Sequence, residues 1–349
     1  MGFSKQETLL HLSYWPRYIL NSVISLESES IDPASKRPGN DHPSSLGNLD
    51  RLPLELLLEA FTYLDFQSVS RLSRVSMRSY FILASLTAYR DLTSSTRHVF
   101  SVLKNAGILG LHSIGTLHDV LFTGKCASCG AFGAFLLLLS AERCCFVCLT
   151  INQSLWVFSL PVATQSFGLT KQQLSVLPFM WSIPGKYGLS YTGSRQKSVR
   201  LVSVKAVEKL AIKLYGSEEK HNAKCPLIPF DIVPYKLEKW RWYRLATLLP
   251  LAQNPLMVND RAIRPKDDFF GMGVTPFPSL LNGCVEEGLW CRGCELTLEK
   301  YDLRSLRPDV LASLVPQGCD VRSFLERMQH KARTRAGFLE HAKHCPLAG

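Results

Sequence analysis

The sequence predicts a mainly α-helical protein with small β elements. A three-helix unit near the N-terminus precedes an irregular α+β region braced at paired cysteines. Three observations lead there. From Leu52 onward, apolar residues recur at helical spacing through about forty residues. Residues 203–215 and 236–249 have the apolar periodicity of longer helices. Six of the eleven cysteines form three Cys-x-x-Cys pairs: Cys126/Cys129, Cys145/Cys148 and Cys291/Cys294. Apolar residues make up 46% of the 349 and charged residues 20%, enough to build a core and too apolar for global disorder.

Residues 1–48 read as a disordered N-terminal segment. Residues 27–49, rich in Ser, Pro, Asp, Asn and Gly, form its linker. The three-helix unit spans 49–93. Pro53 opens its first helix, in which Leu54, Leu57, Leu58 and Phe61 share a face. Asp65 is the expected N-cap of a second helix carrying Val69 and Leu72. Ser76 is that of a third, with Tyr80, Leu83 and Ala84 turned inward. A cysteine-rich region with short helices is expected over 94–200, where the apolar run after Ala134 reads as a strand, with a helix the alternative that periodicity leaves open, and 170–177 as a short helix stopped by Pro178. The remainder, 201–349, reads as mainly helical. Val204, Val207, Ala211 and Leu214 line one face of its first helix, Trp240, Tyr243 and Leu248 lie on the second, 254–283 is irregular, and helix resumes near Val321.

A tetrahedral zinc ion takes four soft or borderline ligands, and a Cys-x-x-Cys turn presents two thiolates at once. Cys126, Cys129, Cys145 and Cys148 make one such set, with Cys144 an alternative to Cys145. Lys125 and Arg143 flank the pairs as charges that offset thiolate. A second set joins Cys291 and Cys294 to His341 and Cys345, which stand four apart and would share a helix face, with His344 an alternative to His341. Gly293 eases the knuckle turn. Cys225, Cys284 and Cys319 lack paired partners and read as core thiols. Four protein ligands at each zinc leave no position for a reacting water, so both sites read as structural.

Residues 52–85 resemble the F-box. The resemblance is carried by Leu52-Pro53, Glu55, Leu56, Leu57, Leu58, Phe61, Tyr63-Leu64, Val69, Leu72, Val75, Arg78, Tyr80 and Leu83. Met77 and Ser79 depart from the basic and aromatic residues of many F-boxes, and the lost aromatic either weakens docking or shifts it to Tyr80 or Phe81. The resemblance implies docking to the Skp-type adaptor of Skp–cullin–F-box ubiquitin ligases, through Leu52, Pro53, Leu56, Leu57, Phe61, Val75 and Tyr80, with Leu52 and Pro53 the direct contacts. Further segments, ERCCFVCL, FGLTKQQLSVLP, IPGKY, the Cys291/Cys294 knuckle and FLEHAKHC, extend a resemblance to fungal F-box proteins with a cysteine-rich C-terminal region across residues 52–345. It implies a non-catalytic subunit that binds an unidentified protein substrate while partner subunits transfer ubiquitin.

A net charge of +11 and the segment KLEKWRWYRLA, residues 236–246, motivate a second reading as a zinc-containing protein associated with nucleic acid. The N-terminal sequence, broken by Lys5, Glu7, Pro16 and Arg17, resembles neither a secretory signal nor a membrane span. The nine apolar residues Ala131–Leu139 are too few to cross a bilayer. A cytoplasmic or nuclear location follows as the expectation, where thiols stay reduced and paired cysteines hold metal.

Overall fold

The computed structural model describes residues 5–26, 44–184, 198–224, 254–258 and 269–347. Two short helices, α1 (Lys5–Leu12) and α2 (Arg17–Asn21), flank strand β1 (Ser13–Tyr14). Six helices follow: α3 (Leu54–Thr62), α4 (Phe66–Leu72), α5 (Met77–Ser85), α6 (Thr87–Ser95), α7 (Arg97–Asn105) and α8 (Ile114–Leu121).

Local chemistry sets several of these boundaries. The Asp65 carboxylate accepts from the Ser68 amide at 2.8 Å and starts α4. Ser76 and Ser79 form a reciprocal capping box at α5. Ser113 caps α8 through the Thr116 amide. Leu57, Phe61, Phe66, Val69, Ile82 and Leu83 then turn inward. They meet Tyr89 and Leu92 of α6, Phe100 and Leu103 of α7, and Ile114 and Leu117 of α8 in one apolar cluster. The Phe66 and Phe100 rings pack edge-on at 4.3 Å. The Ile114 amide donates to the Leu64 carbonyl at 2.8 Å, tying α8 to the end of α3. The first three helices are therefore half of a six-helix layer. Within them Ala84 is exposed, contrary to the expected inward face, and Ile82 takes its place in the core.

Beyond α8 the chain folds around short sheets. Strand β2 (Phe135–Leu137) pairs antiparallel with β3 (Glu142–Cys144) and, on its other side, with β7 (Val274–Pro276). A second sheet has the order β4 (Val157–Ser159), β6 (Arg200–Ser203), β5 (Met180–Trp181). β8 (Ser279–Leu281) and β9 (Cys284–Glu286) form a hairpin, and β10 (Trp290–Cys291) pairs with β1. Among the helices here are α9 (Phe146–Ile151), α10 (Leu160–Phe167), α11 (Lys171–Leu174), α12 (Val204–Tyr215) and α13 (Glu218–Lys224). Four more close the chain: α14 (Arg292–Asp302), α15 (Pro308–Leu314), α16 (Val321–His330) and α17 (Arg335–Ala342).

Several expectations are corrected here. Residues 5–26 are not disordered. Ile19, Val23 and Ile24 are buried, and the Ile24 amide and carbonyl bond to Val274 and Thr275 of β7. Scattered apolar residues gave no periodic signal because this segment packs as a strap. The expected linker lies largely outside the described residues, as do Cys225 and the basic helix of residues 236–249. The boundary drawn at 200/201 falls inside β6, and β2 with β7 joins the two sides again. Residues 274–276 and 279–281 are strands. Pro276 is compatible with β7 because β7 is an edge strand. On α12, Val204, Val207 and Ala211 are buried as expected, but Leu214 is exposed. Cys284 is an exposed hairpin residue and Cys319 is half-buried, so neither is a core thiol. No helix among the described residues is long and apolar enough to cross a membrane.

Candidate metal centres and docking face

The first cysteine quartet converges at the foot of the β2–β3 hairpin. Cys126 opens a tight loop in which its amide donates to the Ala131 carbonyl at 2.7 Å and its carbonyl accepts from Gly130, whose φ of +71° suits glycine. Cys145 ends the hairpin as the N-cap of α9, and its sulfur accepts from the Cys148 amide at 3.3 Å. The four sulfurs lie within 4.8 Å of one another, and Cys129 Sγ is 3.7 Å from Cys145 Sγ. A tetrahedral zinc with Zn–S bonds of about 2.3 Å sets S···S edges of about 3.8 Å. A disulfide needs about 2.0 Å, so the spacing fits an ion and not a bond. Cys144, fully buried on β3, falls outside the quartet, which selects Cys145.

The second quartet, Cys291, Cys294, His341 and Cys345, is equally tight. Cys291 stands at the N-cap position of α14, without the side-chain bond that Cys145 makes, and Cys294 sits one turn in, the same placement as Cys145 and Cys148 on α9. Cys291 Sγ lies 3.7 Å from Cys345 Sγ, and Cys294 Sγ lies 3.2 Å from His341 Nε2. His344 points to Glu340 at the exposed surface, which selects His341. The shared helix face is corrected: α17 ends at Ala342, and a turn beyond it brings Cys345 back. The reason for Gly293 also changes. It lies in the first turn of α14, where a Cβ would stand 2.7 Å from Cys345 Sγ and 3.1 Å from the Leu347 backbone. Glycine is there to let the returning chain approach.

The donor chemistry suits a divalent cation. Hydrogen bonds from Cys129, Cys145 and Cys148 drive the Cys126 thiol strongly toward thiolate, and Cys294 and Cys345 do the same for Cys291. The same contacts hold Cys148 and Cys294 protonated. Each quartet thus sets thiols pushed toward thiolate, Cys129 among them, beside thiols held protonated, and a cation would replace those protons.

Arg143 does not serve the thiolates as expected. It is buried and donates to the carbonyls of Gly133, Val120, Phe277 and Pro278. Burial lowers its pKa to about 9. It works as a clamp between the hairpin, α8 and the link from β7 to β8. Lys125 is exposed beside Cys126.

The expected docking residues divide by burial. Leu52, Leu56 and Val75 are 41%, 50% and 57% exposed, and Pro53 is exposed beside them in sequence. Leu57 and Phe61 are buried in the six-helix core and cannot touch a partner directly. Tyr80 is half-buried. Leu54, expected on the inward face of the first helix, is half exposed instead, and Phe81, offered with Tyr80 as a substitute for the lost aromatic, is exposed. Ser79, standing where an aromatic was expected, is buried and donates to the Leu72 carbonyl at 2.7 Å. The outward aromatic of this helix is Phe81, whose ring packs edge-on to Tyr80 at 5.7 Å. Among the described residues, seven of the seventeen exposed large apolar side chains fall between Leu49 and Phe81.

Residues 49–91 match the F-box domain. No curated protein and no solved structure matches the chain. The match covers the helices α3 to α5 and most of α6. Its interior is the buried set above, and its exposed apolar residues are the ones left for a partner.

Proposed function

We propose that the chain is the substrate-recruiting subunit of a Skp–cullin–F-box ubiquitin ligase, in the cytoplasm or nucleus. The single observation that carries this reading is the F-box at 49–91 with its apolar residues turned outward. Leu52, Pro53, Leu54, Leu56, Val75 and Phe81 supply the face for the Skp-type adaptor, and the adaptor brings the cullin. The remaining region, braced by zinc at Cys126, Cys129, Cys145, Cys148 and at Cys291, Cys294, His341, Cys345, holds the protein to be modified. The chain carries out no transfer itself, and ubiquitin passes through partner subunits. The wider likeness to fungal F-box proteins with a cysteine-rich C-terminal region supports this division of labour and rests on sequence motifs alone.

Leu56→Asp tests the docking face. The residue is half exposed, so the substitution leaves the melting temperature nearly unchanged while placing a charge in an apolar contact. Co-purification with the Skp-type adaptor and cullin is expected from the wild type and lost in the variant. Full retention of the adaptor by a folded Leu56→Asp protein would remove the proposed face.

A further inference from the structure

A groove of about 1050 Å³ opens between the two metal centres. One wall comes from the first knuckle, with Lys125, Ala131 and Phe132. The other comes from the chain between α16 and α17, with Lys331, Ala332 and Arg333, and from His341 of the second quartet. Phe122 and Leu281 extend its apolar surface. Backbone bonds at 2.8 and 2.9 Å tie Arg333 of the second wall to Leu289, and Gly288, whose φ is +96°, sits between Phe132 and Ala332 of the two walls. A Cβ on Gly288 would come within 3.1 Å of the Phe132 ring.

The groove is cationic as well as apolar. Lys125, Lys331 and Arg333 line it, and no carboxylate does among the described residues. The N-terminal end of α17, marked by Thr334 and Gly337, opens onto the same space. The Glu286 carboxylate accepts from the Arg335 amide at 3.0 Å and offsets the positive end of that helix, so the charge of the groove rests on its side chains. A set of cations with no carboxylate lining the groove beside them, over an apolar floor, is complementary to a ligand with both characters.

We infer that this groove is the recruitment site for an acidic segment of the partner protein. Its carboxylates meet Lys125, Lys331 and Arg333, and an apolar side chain rests on Phe122, Phe132 and Leu281. The inference deepens the proposed function and rests on it for the partner's fate. A peptide fits better than a nucleic acid. Tight phosphate-backbone binding draws on about six to ten cation contacts, whereas here three cations share the groove with an apolar surface.

The test uses the full zinc-loaded chain and three fluorescein-labelled probes of equal length. One is a Glu/Asp-rich peptide with two phenylalanines, one the same peptide with lysines for its acids, and one a single-stranded oligonucleotide. Anisotropy titration should show binding of the acidic peptide alone, weakening as salt rises. Lys331→Glu with Arg333→Glu should weaken it by about tenfold or more, equivalent to about 1.4 kcal/mol. Zinc content and melting temperature check folding, and Lys125→Glu with Lys331→Glu gives a second reading away from Arg333. No peptide binding, equal binding of the basic peptide, tighter binding of the oligonucleotide, or indifference to both charge reversals would overturn the inference. The same variants should keep the Skp-type adaptor, and Leu56→Asp should keep the peptide, so failure of the groove and failure of the docking face are read separately.

Discussion

Replacing Gly293 with alanine tests the second metal centre by a single methyl group. On helix propensity alone the change should stabilise, by up to about 1 kcal/mol in a helix interior and less near the start of α14. The geometry predicts the opposite sign. The new Cβ would sit 2.7 Å from Cys345 Sγ, where nonbonded heavy atoms prefer about 3.5 Å or more, so something must move by about 0.8 Å. The Leu347 backbone at 3.1 Å blocks retreat on that side. Metal sites tolerate about 0.2 Å in ligand distance, so a displaced Cys345 is a weakened ligand. Overpacking of this kind costs about 1–3 kcal/mol, and disturbing the support of a ligand costs about 10–100-fold in affinity. Competition with a coloured chelator measures the affinity, and thermal unfolding measures the stability. Gly293→Ala protein that holds two zinc ions as tightly as wild type, or melts higher, would refute the close approach on which this reasoning depends.

Three further outcomes are expected. Elemental analysis of purified protein should find about two zinc ions per chain, and His341→Ala should leave about one, since the first quartet is complete without it. Leu57→Ala should cost about 2–5 kcal/mol in denaturant unfolding, because Leu57 is 1% exposed in the six-helix core, so any loss of adaptor binding would follow from unfolding and not from a lost contact. His330, buried against the Tyr18 and Phe146 rings, has its pKa lowered by desolvation from 6.5 to about 4. The unfolded chain therefore takes up a proton that the folded chain refuses. This contribution to stability is full above pH 6.5 and is lost as pH falls from about 6.5 to 4, by about 3 kcal/mol in total. His330→Gln should flatten that slope in urea titrations run with zinc content monitored, and an unchanged slope would show that the ring is not held neutral.

The sequence carried the features whose cause is local. Asp65, Ser76 and the Cys-x-x-Cys spacings act within a few residues, and the structure shows the first two as caps and brings the cysteines into clusters that could hold a metal. What escaped depends on chain segments far apart. The strap of residues 5–26 owes its burial to β7 and β10, some 250 residues away or more, and its own apolar pattern is too short to declare it. Leu57 and Leu56 are adjacent and chemically identical, yet one is core and one is surface, because α6 to α8 cover a single side of the F-box helices. Gly293 looked like a turn residue, and only the returning C-terminal chain shows that it is a gap. His344 and His341 could be separated by helix geometry, but the path to Cys345 required the turn after α17.

The burial pattern also implies that the two ends of the molecule depend on metal unequally. The F-box lies in a large apolar cluster that extends from Ile24 through α8 to Phe277 and excludes both quartets. The buried core around the second centre is Cys291, Cys294, Phe338 and Cys345, with Leu9, Leu12 and Met328 packed at its edge. Burying one phenylalanine and three small thiols contributes about 2–3 kcal/mol for the ring and less for each thiol. So small an apolar core leaves α17 the element most dependent on the proposed zinc, whose binding there would be folding free energy. Chelation should therefore release α17, and with it the Lys331–His341 wall of the groove, while α3 to α8 keep their core. The expected result is a metal-stripped chain that still binds the Skp-type adaptor but no longer binds the acidic peptide, with amide exchange accelerated first over 335–345. Adaptor binding lost in parallel with zinc would mean that the six-helix layer is not self-sufficient and would overturn this separation.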